Sequence, residues 1–372
     1  MRAIVALDDP TRREEFRRQV LAAGLECVAE DAVSYASLPV RLSQAGANLV
    51  LVVLGSDPSA GLAVVRQALT QTTAPVLAVG PVADASIIRQ AIREGAREYL
   101  DENRFREELL AALEKFRILG TIDLRRGTTI AVTGARPGSG VTTVATSLAF
   151  ALAHRHPRQV ILAEMGQGVP ELALDLDLEP AHSVADLVPH RDRLDTTLLR
   201  RALVEHPAGV HVLAYKPETL TAVEFDPDLM TQVLVLLRTM ADRTVLDLGH
   251  SLDPARLQAL KLAETVLLVV PLDVPSLRLN RRFLQKLQEL GLPREKVRLV
   301  ANRYGQRRQF DWRKAQETLG LPFLEWIPDD VARVNHALNQ GQPLVCSARW
   351  ASITRHFDKL ASSLNGSPAS TS

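Results

Sequence analysis

Two hydrophobic periodicities alternate along the chain. The short β-rich runs AIVAL (3–7), LECVAE (25–30), NLVLVVL (48–54), PVLAVG (75–80) and REYLD (97–101) are each followed by a stretch at helical spacing. That alternation predicts βα repeats wound into a parallel sheet, and the uninterrupted apolar run at 48–54 predicts a central strand buried on both faces. A helix over 103–116 closes this segment. The alternation resumes at TTIAVT (128–133) and continues through QVILAEM (159–165), GVHVLAY (209–215), RTVLDLG (243–249), ETVLLVVP (264–271), KVRLVANRYG (296–305) and PFLEWIPDD (322–330). Helices are expected over 195–206, 227–240 and 276–290. The pattern therefore predicts an α/β protein with two doubly wound parallel-sheet domains, 1–119 and 128–365. Between them lies a short linker, 120–127, carrying Asp123, Arg125 and Arg126, and the small polar residues 366–372 predict a disordered tail.

Composition narrows the class. A length of 372 residues suits two domains with separate cores, and 46% apolar against 23% charged residues is ordinary globular usage. The net charge of +1 gives no overall drive toward nucleic acid or an anionic membrane. Cys27 and Cys346 fit no metal spacing and point to a reduced, cytoplasmic protein. No apolar run reaches membrane-spanning length, and Asp8 and Asp9 arrive too early for a signal-peptide core.

The chemistry concentrates in Thr128–Ala149, where a β-branched strand feeds a glycine-bearing loop and then a helix of small and apolar residues. That is the wiring of a phosphate-binding loop. Gly138 and Gly140 let backbone approach phosphate, the amides from Ser139 onward supply donors, Thr142 is the hydroxyl for Mg²⁺, and Thr143 adds a contact to the α-phosphate. The loop is also incomplete. Val141 stands where the phosphate lysine is expected, and Ala135 where the leading glycine is expected. A charge-assisted contact of that kind contributes roughly 1.5–3 kcal/mol, and loss of a positioned charge at a transferring phosphoryl group costs on the order of 10²–10³ in rate.

The N-terminal segment resembles the receiver domain of response regulators, with Asp8 and Asp9 ending the first strand. The places of the phosphate-accepting aspartate, the hydroxyl residue and the lysine hold Val53, Gly80 and Glu102, so the resemblance implies an interaction module that takes no phosphate. The acid pair is read as a solvated strand end. The second segment resembles the ParA/MinD class of deviant P-loop ATPases through GARPGSGVTTVATSLA (134–149), ALDLDLEPAHSVADLV (173–188), PLDVPSLRLNRR (271–282), LVANRYG (299–305) and IPDDVARVNHALNQGQPLV (327–345). The whole chain resembles the TadZ/CpaE branch, which positions the assembly machinery of Flp (tight-adherence) pili.

The resemblance implies residue roles. Arg136 takes the place of the signature lysine that reaches a partner's nucleotide across a dimer, and Pro137 departs from a usual glycine. Asp247 corresponds to the acid that holds Mg²⁺ through water, Asn302 and Arg303 to the place that reads adenine, and Pro328 to the base's other side. Relatives end their second strand in D-x-D, where this chain has Glu164, Met165 and Gly166; Gly166 cannot orient a water, so no catalytic residue is assigned and hydrolysis is expected to be weak or absent. Glu164 retains a water-mediated role toward Mg²⁺. The implied ligands are ATP and Mg²⁺, and the implied partners a second copy and pilus or secretion assembly proteins at a cell pole. The basic face Arg278, Arg281, Arg282 and Lys286 is read as solvated rather than nucleic-acid binding. The apolar stripe Trp350, Ile353, Phe357, Leu360 and Leu364 is read as packed on its own domain, leaving at most peripheral membrane contact. Two alternatives stay open: an active ParA/MinD-type ATPase cycling on a surface, and a nucleotide-free interaction module.

Overall fold

The computed structural model describes residues 1–118, 127–155, 159–191 and 194–364. Of the expected linker only Gly127 falls within them, and the expected tail 366–372 lies outside the described residues. The chain divides into two compact units: Met1–Arg125 with Arg191–Asp195 and Thr231–Thr239, and the remainder from Arg126 onward.

The first unit holds β1 (Ala3–Ala6), β2 (Ala32–Val33), β3 (Leu49–Val53), β4 (Val76–Gly80) and β5 (Glu98–Asp101) in one parallel sheet of order β2-β1-β3-β4-β5. This is the flavodoxin-like winding. Alternate residues of β1 and β3 enter separate cores, Val5 and Leu51 on one face and Ile4 and Val50 on the other. The run at 25–30 is not a strand. It contributes one isolated bridge at Glu26, and the chain then turns through 3₁₀ geometry at Ala29–Asp31 before β2 begins. Asp31 explains the delay: it is fully buried and accepts from the guanidiniums of Arg2 and Arg41, at 2.9 and 2.8 Å. A buried carboxylate requires such partners, and reaching them overrides strand propensity.

At the end of β3 the place of a phosphate-accepting aspartate is held by Val53. Val53 is buried, and the Tyr35 hydroxyl donates to its carbonyl at 2.5 Å while accepting from the Gly55 amide at 3.2 Å. Glu102 pairs with Arg12 at 3.2 Å. Asp9 caps a 3₁₀ turn by accepting from the Thr11 amide and hydroxyl. These hydrogen bonds, that from the Thr11 hydroxyl foremost, hold its carboxyl below the usual range.

The second unit is built on an eight-stranded sheet: β6 (Thr128–Gly134), β7 (Val160–Glu164), β8 (Leu203–Glu205), β9 (Val210–Leu213), β10 (Arg243–Asp247), β11 (Thr265–Pro271), β12 (Val297–Tyr304) and β13 (Phe323–Pro328). Their order is β13-β12-β11-β6-β10-β7-β9-β8, parallel except for β8 against β9. The helix expected over 195–206 therefore ends early, at Ala202, because Leu203–Glu205 pairs as an edge strand with Leu213, Val212 and His211. The 13-residue helix Val141–Ala153 runs from the loop after β6 and is almost wholly buried. Its Val144, Leu148 and Leu152 share a core with Ile353, Phe357 and Leu360 of the helix Ser352–Leu364. The C-terminal stripe thus packs on its own domain, except for Trp350, which lies before the helix and is 87% exposed. Among the described residues no helix is long and apolar enough to cross a membrane.

Candidate functional site

The site forms where β6, β10, β11 and β12 end together, at the carboxyl edge of the sheet. After β6 the loop turns through two left-handed glycines, Gly138 at φ +72° and Gly140 at φ +88°. Gly140 permits more than the turn. A Cβ there would lie 2.2 Å from the Asn302 side-chain nitrogen, which donates to the Ser139 carbonyl at 2.8 Å. The Ser139 hydroxyl closes the other side by donating to the Arg136 carbonyl at 2.7 Å. The amides that open the following helix lack intrahelical acceptors by construction and sit at its positive end, which suits phosphate.

Val141, in the lysine's place, turns inward. It is buried in the domain core, with a methyl 3.0 Å from the position a Cβ would take at Gly134. Arg136 is a half-exposed cation beside the loop, and its own chain holds it: Nη1 donates to the Ser276 hydroxyl at 3.2 Å and lies 3.6 Å from Asp273. Asp273 is also the N-cap of the helix Val274–Glu289, accepting from the Ser276 amide and hydroxyl. The P-loop arginine is therefore moored to a helix start that the sequence reading did not assign to the site, although Asp273-Val-Pro-Ser is a recognisable cap signal.

Asp247, at the end of β10, is 4% exposed and accepts from the Gly249 amide at 3.0 Å, with the Thr142 hydroxyl near enough to act on its carboxylate. Burial pushes its pKa up, while the Thr142 and Gly249 hydrogen bonds and the charge of Arg256 act against that shift. Thr142 and Asp247 are hard oxygen donors brought together, and they fit a Mg²⁺ that keeps most of its waters. Among the described residues no group of three or more His, Cys, Asp or Glu is placed to hold a metal by itself. Bound Mg²⁺ would neutralise phosphate charge beside the loop. Arg256, from the helix Pro254–Leu262, is buried near Asp247 and pairs with its own N-cap, Asp253; burial pulls its pKa down to about 10.

Glu164 ends β7 and is tied into the backbone around it. Its carboxylate accepts from the amides of Glu171 and Leu172, at 2.9 and 3.1 Å, and from that of Tyr215 at 3.3 Å, so it braces two loops to the end of β7. Burial raises its pKa to about 7. Gly166 approaches the neighbouring loop closely: a Cβ there would meet the Gly249 nitrogen at 3.3 Å and the Leu248 carbonyl carbon at 3.4 Å. Asp175, not assigned from sequence, lies nearby with its pKa raised by burial to about 6.

The base side of the site is a cleft of about 90 Å³ lined by Gly140, Thr143, Asn302, Arg303, Pro328 and Val334, among others. Five positions assigned from sequence meet there. Arg303 holds a left-handed backbone at φ +55°, with its carbonyl tied to the Gln309 side chain at 2.9 Å. Strain of this kind collects at binding sites. Pro137 is exposed on the outer side of the loop.

No family model matches the chain. A curated septum site-determining protein MinD from Oltmannsiellopsis viridis, itself a putative assignment in its name, is 26% identical over 256 residues, covering 66% of this chain and 78% of that protein. The solved ParA family ATPase from Chlorobium tepidum superposes with a TM-score of 0.59 at 21% identity, covering 65% of this chain and all of that one. MinD from Pyrococcus horikoshii, solved in complex with Mg-ADP, gives 0.55 at 22% identity over 64% of this chain and 96% of that one. Over about 65% of its length, the chain has the fold of the ParA/MinD-type P-loop ATPases and resembles them in sequence.

Proposed function

We propose that the chain is an ATP-binding, weakly hydrolysing or non-hydrolysing dimeric scaffold that localises and recruits Flp (tight-adherence) pilus assembly machinery at a cell pole. One observation carries the reading: the phosphate loop, the Thr142–Asp247 pair and the Asn302 cleft are assembled together, while the place of the water-orienting aspartate is Gly166. A site of that form supports recognition without turnover. The Mg-ADP complex of the similar Pyrococcus horikoshii MinD supports a Mg²⁺-adenine nucleotide as the ligand. The first unit, with Val53 and the Arg12–Glu102 pair at its strand ends, serves in this proposal as a receiver-shaped docking module. Domain limits of 1–119 and 128–365 belong to the same proposal.

Arg136 is the cation that a second copy would present to nucleotide, released from Ser276 and Asp273 on dimerisation. ATP affinity then depends on dimer formation. Titration of ATP at protein concentrations above and below dimer dissociation tests this, and equal affinity in both regimes counts against it. The intact Thr142–Asp247 pair favours a second reading, a cycling ATPase. Phosphate release abolished by Asp247→Ala would establish that alternative.

A further inference from the structure

Trp350 is 87% exposed although it lies two residues before the helix Ser352–Leu364, whose apolar residues Ile353, Phe357 and Leu360 are buried. The Arg349 guanidinium lies 5.6 Å from its ring centre. Beside the ring opens a cavity of about 400 Å³, lined by His154, Val345, Arg349, Arg355 and Asp358. Val345 and Thr354 form a buried wall, whereas Arg349 and Arg355 are exposed. His154 immediately follows the helix Val141–Ala153, so the cavity lies at the opposite end of that helix from the phosphate loop. A helix of that length separates its ends by about 20 Å.

We propose that this cavity docks a short acidic segment of a partner protein, with an apolar or aromatic side chain against Trp350 and carboxylates on Arg349 and Arg355. Tryptophan and arginine are the residue types that concentrate binding energy at interfaces. Among the described residues that line it, the two arginines exceed the one acid, Asp358, so the lining has a net preference for negative charge. Its concave form receives side chains. A lipid surface would need further apolar groups around the ring, and among the described residues flanking it in sequence the exposed ones are Arg349, Ser352 and Arg355. The proposal stands apart from the nucleotide reading, because none of these residues lines the cleft at Asn302.

The test is selection from a random peptide display library on the full chain, followed by titration of the selected peptides. Enriched sequences combine Asp or Glu with an aromatic or aliphatic residue, and Trp350→Ala weakens them roughly tenfold or more. Arg355→Glu weakens them as well, and added salt weakens them on the parent chain. Both positions are exposed, so thermal unfolding of the variants should match the parent. Selection of nothing, selection of neutral or basic sequences, or equal binding to both variants would overturn the proposal. So would Trp350-dependent co-sedimentation with phosphatidylglycerol vesicles in the absence of selected acidic peptides.

Discussion

Replacing Gly140 by alanine perturbs the loop in two separable ways. The backbone at φ +88° becomes strained, which costs about 1–2 kcal/mol for a residue with a Cβ. The new Cβ would also sit 2.2 Å from the Asn302 nitrogen and expel the amide from its hydrogen bond to Ser139, a further loss of about 0.5–1.5 kcal/mol. Gly138→Ala is the control, because φ is +72° there but no atom lies within 4 Å of the added carbon. It should show the backbone cost alone. Urea unfolding of both variants, repeated in an Asn302→Ala background, isolates the contact as a coupling energy. In that background the excess cost at Gly140 disappears. ATP affinity falls at least tenfold in Gly140→Ala, because the loop and the base-facing amide move together. Equal costs at the two glycines, or an excess that survives removal of Asn302, would refute the close approach on which the loop's shape is argued.

Three further outcomes follow from the same geometry. Glu164, at about 7 when folded against an ordinary 4.5, keeps a proton in the folded state that the unfolded chain releases, so its contribution to stability is present below 4.5 and is lost as pH rises through 7. The loss is about 3 kcal/mol. Glu164→Gln should flatten that slope in unfolding measurements from pH 4.5 to 8, and an unchanged slope would contradict the assignment. Gly166→Asp should leave phosphate release at the parental level and destabilise the domain by about 1–3 kcal/mol through crowding against Leu248 and Gly249; a tenfold gain in turnover would show that the missing carboxylate alone limits hydrolysis. Arg136→Ala should weaken dimerisation and ATP binding together, whereas Asp273→Asn, which keeps a capping side chain and loses the charge, should change stability by less than about 1 kcal/mol and weaken neither. Analytical ultracentrifugation with and without ATP distinguishes the two variants.

Sequence patterning was most informative where one local cause dominates. The buried strands Leu49–Val53 and Thr265–Pro271 are apolar for nearly their whole length, and the loop glycines announce left-handed backbone. The failures have long-range causes. Asp31 turns the chain at 29–31 to reach Arg2 and Arg41, partners distant in sequence, and Leu203–Glu205 becomes a strand because β9 offers an edge. The placement of Asp247 and Asn302 on strands at the sheet's carboxyl edge was legible from sequence. The engagement of Glu164 by Tyr215, 51 residues away, and of Arg136 by Ser276, 140 residues away, depends on the folded sheet bringing loops together. The helix carrying Arg256 had a local signal, Asp253 followed by Pro254, which is a cap and a first-turn proline.

The central claim is that recognition is retained and turnover is not. Its most direct measurement is equilibrium binding of ATP with Mg²⁺ to the purified chain, paired with phosphate release from the same sample. Saturable binding that Gly140→Ala weakens, with release no faster than in the Asp247→Ala variant, is the expected result. Failure to bind ATP, or rapid sustained release that Asp247→Ala abolishes, would contradict the account.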